Sequence, residues 1–315
     1  MTTNMRMVST TNLKEQRRTR ELKRRTWRTK VRGYFAGSSA LLTALIGVNA
    51  YATPQGGVVA AGDANINQGG NLTTIDQFTN TAVIDWQGFD INAGETVQFN
   101  QPNAMSKVLN RIQSGSPTEI YGQLQANGIV YVINQAGVIV GSGGVVDTAG
   151  FVAAAASMTN DDFMNGVDHF TNVQGDVVNW GRIQTQSMAV LVGSHVANYG
   201  EIVAENGYVA MIAGDDVLLG ESADGHIFAQ INGAAANIDA ARAGVRNEGI
   251  ITADQVALGA GDLYSIAIYN SGDILAGDIS LEGQGSGAIL HTGVLDASNS
   301  LAMGGTVVLT GEKVA

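Results

Sequence analysis

The four histidines are the first residues to test for metal ligation or proton transfer. His169, His195, His226 and His291 stand singly, and none has a second His or a carboxylate at a spacing that would put two ligands on one face of a strand or helix. They read as solvated or turn residues. The carboxylate pairs Asp161-Asp162 and Asp215-Asp216, with the Gly-Asp steps at Asp262, Asp273 and Asp278, bring the oxygen ligands that Ca²⁺ prefers. They do not recur in the nine-residue Gly-Gly-x-Gly-x-Asp pattern of calcium solenoids, so surface turns are the better reading. A polysaccharide-active enzyme needs stacked carboxylates and a basic partner in one groove. No such set is visible in line, and Arg182, Arg242 and Arg246 read as surface charges. With no Cys in the chain, thiolate metal sites and disulfides are excluded. The sequence therefore predicts a protein that is not an enzyme and that carries no metal and no cofactor.

Charge is segregated along the chain. Eleven of the 17 Lys and Arg residues lie between Arg6 and Arg32, and the six that remain beyond residue 52 face 26 acids, a balance of about −20. A body of that sign repels nucleic acid. The basic start runs directly into the apolar stretch Leu41-Leu42-Thr43-Ala44-Leu45-Ile46-Gly47-Val48 and then into Ala50-Tyr51-Ala52. These are the n-region, h-region and small-x-small cleavage site of a secretory signal. The apolar stretch is shorter than the ~20 residues that span a bilayer as a helix, which disfavours an uncleaved anchor. Arg24-Arg25 invites a twin-arginine reading, but its flanks fit poorly. The expectation is export by the general secretion machinery, with Ala50 and Ala52 defining cleavage after residue 52.

The elements that must position any site beyond that point are strands. Short runs of Val, Ile, Leu and Ala lie between Asn-Gly and Gly-Asp pairs, the punctuation of an all-β chain. Helical periodicity is missing, apart from one turn at Asp161-Asp162-Phe163-Met164 after a possible Thr159 cap. The back half repeats. Asn179-Trp180-Gly181, Asn198-Tyr199-Gly200, Asn247-Glu248-Gly249, Asn270-Ser271-Gly272 and the degenerate His291-Thr292-Gly293 share one frame, spaced by 19, 49, 23 and 21 residues. A period near 20 accommodates one coil of a parallel β-helix, three short strands joined by turns. The 49-residue gap then predicts two coils and a small insertion. At each corner Asn can hydrogen-bond the backbone and join a stacked amide ladder, while Gly would supply a positive φ. A β-sandwich or barrel also has short strands, but it does not predict a shared frame.

A solenoid must protect its ends. Residues 53 to about 100 lack the repeat, and Ile84-Asp85-Trp86-Gln87-Gly88-Phe89-Asp90-Ile91 alternates in polarity. This segment reads as an antiparallel N-terminal cap, with Trp86 and Phe89 packing onto the first coils. Near the other end, Gly305-Thr306-Val307-Val308-Leu309 reads as one more core strand with no cap after it, as in a solenoid that continues or has been cut short.

The stretch from Asn71 to Gly166 resembles the secretion domain of the filamentous haemagglutinin family, the exoproteins of two-partner secretion in Gram-negative bacteria. The matching words are Ile84-Asp85-Trp86-Gln87, Phe89-Asp90-Ile91-Asn92-Ala93-Gly94-Glu95-Thr96, Asn100-Gln101-Pro102-Asn103, Val108-Leu109-Asn110-Arg111-Ile112, Gly122-Gln123-Leu124-Gln125-Ala126-Asn127-Gly128 and Gly137-Val138-Ile139-Val140-Gly141. The chain departs from the family at Asn134-Gln135-Ala136-Gly137, where the family usually has Asn-Pro-Asn-Gly.

The resemblance implies an all-β, right-handed parallel β-helix with an N-terminal antiparallel cap. It implies a signal peptide over 1–52, a secretion and recognition domain with the first coils over 53–170, and continuing coils over 171–315. The partner it implies is a cognate outer-membrane β-barrel transporter with periplasmic recognition modules, which would read Asn100, Gln101, Pro102, Asn103, Asn134 and Gly137. The product would be secreted or held at the cell surface, with an adhesin-like role and a host-surface or carbohydrate ligand. The alternatives are a β-helical polysaccharide-active enzyme, or the stalk of a haem-capturing or contact-dependent toxin exoprotein.

Overall fold

The computed structural model describes residues 54–221, 227–232, 242–261, 264–285, 287–298 and 305–315. The leader with Ala50 and Ala52, His226 and Asp262 lie outside the described residues.

One coil shows how the chain winds. The strand Arg182–Gly193 runs along a first face, bends after Thr185 and continues along a second; Val196–Asn198 then forms a third. Residues Tyr199 and Gly200 close the corner, and Glu201 pairs in parallel with Arg182 to begin the next coil. Repetition produces a parallel β-helix in which strands of the first and second faces belong to a 16-stranded sheet and those of the third to an 8-stranded sheet.

Alternate residues fill the tube in register. Val97, Leu124, Val146, Ile183, Ile202, Ile251 and Ile274 form one buried column. Each buried aliphatic side chain contributes roughly 1.5–3 kcal/mol against exposure, and each coil gains it only by stacking on its neighbour.

The second face is buried on both sides. Its outward residues Val83, Leu109, Tyr131, Val152, Val190 and Ala210 also stand in register, and they join a separate core with Phe163, Phe170 and Val217. Two excursions supply that cover. One carries the short helix Asn160–Met164, N-capped by Thr159, and the strand His169–Phe170. The other carries Asp216–Glu221 and Ile227–Asn232, and the three strands form one antiparallel sheet. This is why runs such as Ile129–Ile133 are continuously apolar and buried at every position: a strand covered on both faces has no solvent side to alternate with.

Three expectations are corrected. The cap is shorter than the alternation predicted, because Thr81–Trp86 pairs in parallel with Lys107–Ile112 and is already a coil strand. The antiparallel cap consists of Val58–Ala61 against Thr81–Trp86, and of the hairpin Ala64–Gly69 with Leu72–Gln77. Period-two polarity marks a strand but carries no information on its partner's direction. Trp86 and Phe89 lie inside the tube, edge to face at 5.2 Å.

The 49-residue gap holds one coil, since Val196–Asn198 pairs directly with Val245–Asn247; the surplus is the second excursion. The corner glycines are also not at positive φ. A Cβ on Gly200 would lie 2.0 Å from the Gly181 carbonyl oxygen, and one on Gly249 would lie 2.1 Å from that of Gly200. Close stacking of successive corners, not backbone handedness, requires glycine there.

Candidate functional site

The turn after Thr96–Asn100 is built from inside out. Gln101 is buried; its backbone N–H donates to Asn127 Oδ1 at 2.7 Å, and Asn127 Nδ2 donates back to the Gln101 carbonyl at 2.7 Å. Its side-chain Nε2 donates to Gln77 Oε1 at 3.0 Å and to the Ser106 carbonyl at 3.1 Å. Asn103 Oδ1 accepts from the Met105 N–H at 2.9 Å, and its Nδ2 donates to Asn80 Oδ1 at 3.2 Å. Asn100 Nδ2 donates to Asp76 Oδ1 at 2.7 Å. These bonds clamp a loop whose crest, Pro102 to Met105, is exposed; Met105 keeps 79 % of its surface and Phe78, in the preceding coil, 62 %. An apolar crest on a fixed backbone is suited to recognition, because little ordering is left to be done on binding.

Asn134 and Gly137 sit elsewhere. The turn persists without proline: Asn134 Oδ1 accepts from the Ala136 N–H at 3.0 Å, and the Gly137 N–H donates to the Asn134 carbonyl at 2.9 Å, with Gly137 at φ 125°. Asn134 Nδ2 donates inward to the Ser116 carbonyl at 2.9 Å and Thr118 Oγ1 at 3.0 Å. Both residues are buried. This turn follows the second face, whereas the Asn100 to Asn103 turn precedes it. The structure places the two on different corners of the solenoid and does not bring them together.

Asn179, Asn198, Asn247 and Asn270 are fully buried at the ends of successive third-face strands. Each side-chain amide donates to the next: Asn179 to Asn198 at 2.9 Å, Asn198 to Asn247 at 2.9 Å and Asn247 to Asn270 at 2.8 Å. His291 Nδ1 ends the ladder, 3.0 Å from Asn270 Nδ2, and burial holds this imidazole below its ordinary pKa. Gly181, Gly200, Gly249 and Gly272 stack beside it, each too close to the preceding coil for a side chain.

Tertiary pairing creates contacts that linear spacing hides. His169 Nε2 is 3.2 Å from Asp216, tying one excursion to the other. Tyr131 donates its hydroxyl to Asp168 at 2.9 Å, and burial raises the pKa of both groups. Arg111 grips Asp85 with two bonds, at 2.8 and 3.1 Å, and reaches Asn160 at 2.9 Å, pinning the short helix. His195 is buried, with Nδ1 3.0 Å from the Ala243 carbonyl. Partners 47, 37 and 49 residues apart leave no sequence signal. Asp161 and Asp162 open the helix, Asp273 and Asp278 are partly exposed, and among the described residues no group of three His or acid side chains is placed to hold a metal.

Together these features define a class: a capped parallel β-helix whose first coils carry a pre-shaped, solvent-facing turn. The TPS secretion domain family matches residues 50–299, and the chain belongs to that family. It is the secretion domain of a two-partner-secretion exoprotein, a protein exported to the cell surface or the medium.

Among its relatives is the heme/hemopexin-binding protein of Haemophilus influenzae strain KW20, 36 % identical over 218 residues, which cover 66 % of this chain and 23 % of that protein. A second protein of that name from H. influenzae is 40 % identical over 85 residues, 27 % of this chain and 9 % of the relative. The chain thus spans about a quarter or less of the curated relatives it matches. The crystal structure of the HMW1 secretion domain from H. influenzae superposes with a TM-score of 0.72 at 28 % identity, over 83 % of this chain and 71 % of that one. The filamentous hemagglutinin secretion domain shares the fold alone, with a TM-score of 0.55 at 18 % identity over 82 % of this chain and 100 % of that one.

Proposed function

We propose that periplasmic modules of a cognate outer-membrane β-barrel transporter read the exposed crest Pro102 to Met105, with Asn100 and Phe78 at its margin. The observation that carries this reading is the clamp: buried Gln101 and its reciprocal bonds with Asn127 hold the loop, while the side chains of Pro102 and Met105 stand exposed on its crest. In this reading Gln101, Asn134 and Gly137 serve export indirectly, by shaping turns. Recognition is concentrated in residues 53–170, within the longer family segment, and 171–315 supply coils that stack after translocation. The leader 1–52 would be removed after Ala52 by the general secretion route.

The test is secretion of the chain with and without the transporter, assaying the medium for a protein that begins at Thr53. Met105→Ala is expected to lower release while leaving the purified domain's unfolding free energy within ~0.5 kcal/mol of wild type, as exposed substitutions do, and Asn103→Ala to lower release with a loss of about 1 kcal/mol from its two exposed hydrogen bonds. Normal release of both variants would remove the crest from the recognition surface. For the whole exoprotein we propose an adhesin-like role. A haem-related role is the second reading, favoured by the name of the relatives in residues this chain shares with them.

A further inference from the structure

The corner that follows the third face carries an aromatic ledge that neither folding nor the export reading uses. Tyr121, Gly141, Trp180 and Tyr199 occupy the same position on successive coils, each directly after the last paired residue of its third-face strand. The large aromatics Trp86, Phe89, Phe99, Tyr131, Phe151 and Tyr264 are fully buried, yet Trp180 keeps 42 % of its surface exposed and Tyr121 39 %. Trp180 stacks flat on Tyr199, with centroids 3.9 Å apart and planes 12° from parallel. The Tyr121 ring lies across Gly141, where a Cβ would approach it to 2.1 Å. The corner Gly141-Ser142-Gly143-Gly144 therefore forms a low step between Tyr121 and Trp180, and Gly143 faces open space.

The chain leaves this ledge directly onto the first face, whose outward positions at these coils are mostly polar, with Val145 and Val203 among them. Gln123, Gln125, Asp147, Arg182 and Gln184 alternate with buried Leu124, Val146 and Ile183, and the excursions cover the second face instead. The cations near the ledge are neutralised locally: Arg182 by Glu201 at 3.7 Å, Arg242 by Asp176 at 2.8 Å and Arg246 by Glu248 at 2.7 Å. The exposed parts of Trp180 and Tyr121 beside amide, carboxylate and guanidinium planes match a ligand with apolar C–H groups and paired hydroxyls. The lack of a local charge excess and the acidic body both disfavour a polyanion. Coils rise by ~4.8 Å, so a linear polymer along the axis would cross the ledge and the adjoining first face over several successive coils.

We propose that the Tyr121, Trp180 and Tyr199 ledge, with the adjoining first face, binds a neutral polysaccharide lying along the solenoid axis. The test is affinity electrophoresis of the secreted chain through gels containing soluble β-glucan, galactomannan or dextran, with heparin as the anionic control. At least one neutral polymer is expected to retard the protein, and to do so at high salt. Trp180→Ala and Tyr199→Ala are each expected to weaken retardation about tenfold, the equivalent of ~1.4 kcal/mol, and Gln125→Ala by less. A measurement that needs no variant accompanies it: beyond the leader, Trp86 is buried and Trp180 exposed, so the bound polymer should shield tryptophan emission from acrylamide. Absence of retardation and shielding across the neutral panel would overturn the proposal. So would retardation unchanged in both aromatic variants, or binding to heparin alone that salt abolishes.

Discussion

Replacing Asn198 by Ala tests whether the buried amide ladder is a structural spine. Asn198 lies in the middle of the ladder, with its Oδ1 accepting from Asn179 and its Nδ2 donating to Asn247, both at 2.9 Å, and no exposed surface. Losing two such bonds costs about 1 kcal/mol each, and a buried acceptor left unpaired costs ~1–3 kcal/mol more. Asn179 Nδ2 keeps an alternative in the Glu201 carbonyl at 3.2 Å, so the orphan is Asn247 Oδ1. The expected loss is therefore about 3–5 kcal/mol. Urea unfolding of the chain from Thr53 onward would measure it, with hydrogen exchange on peptides around residues 179–200 and 245–272 locating it, because coils respond mainly to their neighbours. Asn67→Ala, on the exposed hairpin, is the control and should stay within ~0.5 kcal/mol. A loss below ~1 kcal/mol with unchanged exchange would mean that the ladder adds nothing beyond what water would supply, and the reasoning would fail.

Other substitutions probe neighbouring arguments. Gly200→Ala should destabilise near the top of the ~1–3 kcal/mol range of overpacking, since its Cβ would meet backbone 2.0 Å away rather than a movable side chain; an unchanged melting temperature would contradict the stacked-corner account. Burial places the pKa of folded His291 below its ordinary 6.5, so stability is full above that value and is lost as pH falls through it toward the lower folded value. His291→Asn should flatten that acid limb of the urea midpoint, and an identical limb would refute the linkage. Asp168 is shifted in the opposite sense, raised above 3.8 mainly by burial. Its ionisation opposes folding at neutral pH, and the penalty fades as pH falls through the raised folded value to 3.8. Asp168→Asn should thus be at least as stable as wild type at pH 7 while still accepting from Tyr131, and a clear loss in thermal unfolding would reverse the argument.

Much of this architecture was legible in residue order. The Asn-x-Gly frame located the stacked corners, since a solenoid repeats each local solution at the same place in every coil. The words around Asn100 to Asn103 and Gly122 to Gly128 identified the secretion domain, because those turns carry their own hydrogen-bonding side chains. Strand direction at Thr81–Trp86 was not legible, as alternation is the same for either partner. The second excursion was hidden as well, because a 49-residue interval fits two coils as readily as one coil with an insertion.

The amino-acid sequence by itself determined the coil, its corners and the family, all consequences of local periodicity and turn chemistry. Tertiary structure alone decided which face the excursions cover, and with it that Ile129–Ile133 is dry on both sides. It also decided that Asn134 is sealed while Met105 stands out, and that Trp180 lies flat on Tyr199. Burial and cross-coil contact depend on what another coil brings to the same height, and no single stretch of chain carries that information.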